Sequence, residues 1–133
     1  MGAINYGRNE FFNLGLNINE IEVEEFFIYD DCEEIINELG RLDYYEVKLK
    51  SGYYDGFYLD IDNSFSCYSG YEKQEAQKEL TILKECLLRL IDIGLVYYSQ
   101  GWCTGYSDKE ETKLKLKEAV KKERERIRKI RVR

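Results

Sequence analysis

Residues 71–94, YEKQEAQKELTILKECLLRLIDIG, constrain the fold more than any other stretch. Ala76, Leu80, Leu83, Leu87, Leu90 and Ile91 recur every three or four positions, which places them on one side of a helix of about six turns. A glycine at position 94 supplies a residue free to adopt the left-handed conformation that ends helices. A helix this long, with one apolar stripe, needs a broad apolar surface to lie on. The chain has 133 residues, enough for one compact domain, so that surface is expected from the remaining segments of the same domain.

Those segments carry the two-residue alternation of strands. In residues 43–62, Tyr45, Val47 and Leu49 point one way while Glu46, Lys48 and Lys50 point the other. After a glycine-containing connection, Phe57, Leu59 and Ile61 alternate with Tyr58, Asp60 and Asp62, so a β-hairpin is expected. Its lysines and aspartates are placed to pair across the strands. LVYYS (95–99) reads as a short apolar strand. In EIEVEEFFIY (20–29), Ile21 and Val23 alternate with glutamates, and the stretch reads as a strand with a bulge near Glu25. DCEEIINELG then reads as a short helix, capped by Asp30 or Asp31 and stopped by Gly40.

Ser107 opens S-D-K-E, a capping box with Glu110, before a last helix whose Leu116, Val120, Ile127 and Ile130 form a stripe interrupted by Glu123. The order from residue 20 is β-α-β-β-α-β-α. It predicts one α+β domain with a ferredoxin-like βαββαβ core at 20–99, a loop at 100–107 and a basic C-terminal helix at 108–133. Residues 1–19 are expected to form an N-terminal extension able to add an edge strand.

Charge is divided unevenly along this order. Residues 1–112 hold 9 Lys and Arg against 23 Asp and Glu, while residues 113–133 hold 11 against 3. The net charge is −6, so an acidic body carries a basic end. No window is apolar enough for a membrane span, and MGAINYGRNE lacks the basic-then-apolar pattern of a secretory signal. A cytoplasmic protein is expected.

The chain has no histidine and four cysteines, at positions 32, 67, 86 and 103, without a CxxC pair. Ser-His-Asp and Cys-His catalysis are excluded, and no zinc site or other cofactor is expected. Cys103 has no base to activate it and stands four residues ahead of the Ser107 cap. Asp60-Ile61-Asp62 is a weak metal signal alone, and with Lys48 and Lys50 opposite it reads as structural. RNA binding by the sheet is disfavoured, because Asp55, Asp60 and Asp62 would repel phosphates. These residues point to a binding protein rather than an enzyme.

Gly101, Trp102, Cys103, Thr104 and Tyr106 form a G-W-C-T-x-Y segment between an apolar strand and a charged helix. It resembles a segment of small phage- and prophage-encoded proteins of unknown activity. The resemblance implies a phage context, in which small acidic proteins bind and block host defence enzymes. The expected function is inhibition of a host protein such as a defence nuclease, in an anti-CRISPR-like manner, by steric or charge-mimicking occlusion of a basic channel. Glu20, Glu22, Glu24, Glu25, Asp30 and Asp31 would imitate phosphates, with Tyr53, Tyr54, Asp55, Trp102 and Tyr106 as loop contacts. The alternative is a nucleic-acid-binding or oligomer-forming protein using Lys121, Lys122, Arg124, Arg126, Arg128, Lys129, Arg131 and Arg133.

Overall fold

The computed structural model describes residues 9–17, 20–28, 30–52, 56–63, 69–98 and 107–132. The chain runs through β1 (Asn9–Leu16), α1 (Val23–Ile28), α2 (Asp30–Leu39), β2 (Tyr45–Gly52), β3 (Gly56–Asn63), α3 (Gly70–Ile93), β4 (Val96–Tyr98) and α4 (Lys109–Lys129). It is an α+β fold with one four-stranded sheet in the order β2-β3-β1-β4. Every neighbouring pair of strands is antiparallel.

The hairpin forms as its alternation predicts, with Val47 opposite Ile61 and Leu49 opposite Leu59. Lys48 faces Asp60 directly, and the ion pair forms on the diagonal, between Lys50 Nζ and Asp60 Oδ2. Phe12, Leu14, Leu59 and Ile61 turn to the helices and join Leu80, Leu83 and Leu87 of α3 and Leu116 and Val120 of α4 in one core cluster. The register of β1 slips between Glu10 and Phe12. Phe11 is therefore an extra residue of a bulge, and its ring meets the buried Tyr45 edge-on at 5.7 Å.

Three expectations are corrected. The described part of the expected 20–29 strand, residues 20–28, is not a strand, because Val23–Ile28 is helical. Val23 and Phe26, three apart, are buried, whereas Ile21, which the alternation paired with Val23, is exposed. The glutamates between them are good helix formers, and the sheet position is already taken. It is taken by Asn9–Leu16, which is no edge extension: β1 lies between β3 and β4. The core therefore begins at residue 9 rather than 20, and a helix pair, α1 and α2, makes the first crossover.

The third correction is one residue long. Asp108, not Ser107, caps α4, its carboxylate accepting from Glu111 N at 2.8 Å, while Ser107 is buried. At the other long helix, Ser69 caps α3 and Gly94, at φ 85°, ends it.

The basic helix is docked. Of its interrupted stripe, Leu116, Val120, Glu123 and Ile127 are buried, and Ile130, just past the helix, is half-buried. Thr112 Oγ1 accepts from Tyr98 N at 3.0 Å. Lys113 pairs with Asp92 at 2.6 Å, a hydrogen bond that holds the Asp92 carboxyl below its usual range. These contacts fix the start of α4 to β4 and to the end of α3.

Candidate functional site: a cationic trough between the long helices

Two polar bridges clamp α4 to α3 along their length. Arg124 donates to Gln77 Oε1 at 3.0 Å and to Thr81 Oγ1 at 2.6 Å. Lys73 Nζ donates to the carbonyls of Arg128 at 2.8 Å and Ile130 at 2.7 Å, closing the carbonyl end of α4 with a positive charge.

Between the helices lies a trough of about 820 Å³. From α3 it takes Lys73, Lys78 and Lys84, and from α4 Lys117, Lys121, Arg124 and Arg128. Glu125 is the one acid among its described lining residues. In a protein of net charge −6 this gathers positive charge on one face. Lys84, Lys117 and Lys121 make no ion pair among the described residues. Their ammonium groups are open to an anion, and a concave wall of one sign concentrates the field in front of it.

The expected basic residues divide between the two flanks of α4. Lys121, Arg124 and Arg128 line the trough. Lys122 and Arg126 face the other way, into a smaller pocket of about 340 Å³ against Phe11, Phe12 and Tyr98. There Phe12 and Tyr98 stack at 5.3 Å, and Lys115 Nζ lies 5.8 Å from the Tyr98 ring centroid. Lys129 and Arg131 are exposed at the end of the helix. Arg133 lies outside the described residues.

Beneath the smaller pocket, Glu123 is only 6% exposed. Its carboxylate accepts from Asn63 Nδ2 at 3.2 Å and from Arg126 Nε at 2.7 Å. Burial, reinforced by the Glu123 charge, pushes the phenol of nearby Tyr45 far above its ordinary value.

The acidic candidates gather on the α1 side. Glu20, Glu22, Glu24 and Glu25 are exposed, beside Ile21 at 84% and Ile28 at 68% exposure. The side chains of Asp30 and Asp31 lie outside the described residues, as do Tyr53, Tyr54, Asp55, Trp102, Cys103 and Tyr106. Cys32 and Cys86 are free and buried, and burial pushes the Cys86 thiol up to about 11. Among the described residues no cluster of carboxylates and thiols is grouped as metal ligands, and no helix is long and apolar enough to cross a membrane.

The α3 half of the trough was missed from the sequence, although a signal exists. Lys117, Lys121, Arg124 and Arg128 are spaced four, three and four apart, which is one face of a helix, and Lys73, Gln77 and Lys84, spaced four and seven apart, also share one face. What the sequence lacks is the pairing of the two faces. Compared with protein-family models, curated proteins and solved structures, the chain has no match.

Proposed function

We propose that the protein is a non-enzymatic binding protein that holds the phosphate backbone of a nucleic acid in the α3–α4 trough. The observation that carries this reading is the convergence of seven cations from two helices on one concavity of an acidic chain. Lys84, Lys117, Lys121 and Arg128 supply the charge, while Arg124 and Lys73 hold the helices at the right separation. Because α4 is packed, no helix has to order on binding, which removes a cost that a free basic tail would carry. For the fold, the strand order and the antiparallel pairings support a split βαβ, ferredoxin-like reading, with α4 added to its helical layer.

Fluorescence anisotropy with labelled single- and double-stranded oligonucleotides over a salt series tests the function. About four phosphate contacts give a slope of log K against log salt near −3 to −4. Lys117→Glu with Lys121→Glu should weaken binding at least tenfold without changing the circular dichroism spectrum. Equal affinity of the variant and the native chain would refute the reading.

The exposed Ile21 and Ile28 favour a second reading. Apolar side chains set among Glu20, Glu24 and Glu25 suit a protein surface better than water. In this reading the chain occludes a basic channel on a host protein, such as a defence nuclease, using the acidic α1 face. Replacing those three glutamates by lysine should abolish binding to such a partner while leaving oligonucleotide binding intact or improved.

A further inference from the structure

We infer that the trough also receives the α1 face of a second copy of this chain, so that the protein associates head to tail. The inference rests on the trough being an anion-accepting surface, as proposed above, and names a second occupant for it.

The two surfaces match in chemistry. Glu24, Glu25 and Ile28 share the outer face of α1, opposite the buried Val23 and Phe26, and the exposed Ile21 lies in the turn just ahead of the helix. The helical part of this surface extends for about 6 Å. The trough is bordered by Lys117, Lys121 and Arg128 over roughly 16 Å of α4. Val120 lines it at only 3% exposure, so its floor is the aliphatic stems of the lysines and arginines. Bare phosphate would satisfy the ammonium rim and leave that floor wet, whereas an acidic surface with two exposed isoleucines covers both.

The occupant comes from another molecule because Val23 and Phe26 hold α1 in its own core. The interface is therefore heterologous: the donor surface and the acceptor surface differ, and a pair of copies leaves one donor and one acceptor surface unused. Association then continues beyond a dimer, into a ring or a chain, and nucleic acid competes with it for the same cations.

The test is sedimentation velocity of the full chain, free of nucleic acid, over a concentration series at low and high salt. Two variants are used, Ile21→Ser with Ile28→Ser, and Lys117→Glu with Lys121→Glu; all four positions are on the surface. The native chain should form species larger than a dimer that shrink with salt, and each variant alone should be monomeric. Mixed in equal amounts, the variants should form a dimer and nothing larger, since one donor and one acceptor surface survive. A monomeric native chain, variants that still associate, or a mixture that stays monomeric would each overturn the inference. Anisotropy with an oligonucleotide separates the two readings: bound oligonucleotide with a monomeric native chain removes only self-association, and association without oligonucleotide binding removes only the nucleic-acid function.

Discussion

Glu123 and Asn63 lie 60 positions apart and are joined by a buried hydrogen bond of 3.2 Å, which ties the middle of α4 to the last residue of β3. Arg126 completes the arrangement from the solvent side. A charge taken out of water is costly unless it is paired. Arg126→Ala should therefore destabilise the protein by about 3 kcal/mol, because it leaves a buried carboxylate with one partner. Glu123→Ala should cost about 2 kcal/mol, chiefly through the unpaired amide of Asn63. Urea denaturation of both variants and the double variant checks this, and the double variant should lose less than the sum.

Gly15 sits opposite Tyr97 across β1 and β4, and a Cβ at position 15 would meet the Tyr97 ring, 2.5 Å from Cζ. Gly15→Ala should cost about 1 kcal/mol in the native chain because the ring has to move. In a Tyr97→Ala background the same change should be neutral or stabilising, since alanine suits a strand better than glycine. Thermal unfolding of the four proteins reads the change of sign.

The correction at the start of α4 makes a sharp pair. Asp108→Ala removes the carboxylate that accepts from Glu111 N and should cost about 1 kcal/mol. Ser107→Ala, at the neighbouring position, should leave stability unchanged or raised, because the buried Ser107 Oγ has no hydrogen-bond partner among the described residues. Chemical denaturation distinguishes the two capping assignments directly.

Cys86 gives a pH dependence of known sign. Its thiol is held near 11 in the fold by burial first and the Glu38 carboxylate next, above its value in an unfolded chain. The unfolded state releases the proton first, so the stabilisation is complete below pH 9 and is lost as pH rises towards 11. The lost slope approaches about 1.4 kcal/mol per pH unit. Cys86→Ala should unfold with a shallower dependence between pH 9 and 11, and a thiol reagent should label native Cys86 only as fast as the chain opens.

The long helix and the hairpin were legible because each has a single period and a simple environment. Ala76 to Ile91 lie on one buried stripe, and Val47, Leu49, Leu59 and Ile61 on one sheet face. The stretch from Glu20 to Tyr29 was misread because four alternating residues fit a strand and a helix equally. Only the three-residue spacing of Val23 and Phe26, both buried, decides between them. The place of β1 could not be read from its residues, since Phe12, Leu14 and Leu16 would look the same at the edge or in the middle. The trough was hidden for a related reason: the α4 cations mark a basic helix by themselves, but the lysines of α3 gain meaning only when the two helices are side by side.

The central position of β1 also orders the events of folding. It is the first strand made, yet its partners are β3, at residues 56–63, and β4, at residues 96–98. The hairpin of β2 and β3 closes locally and can form early, whereas β1 gains its second neighbour only when Tyr98 has been synthesised. Loops of that length slow closure. Until then the far side of β1 is an open edge, able to pair with a strand of a neighbouring nascent chain. The strand made first is the last to be enclosed.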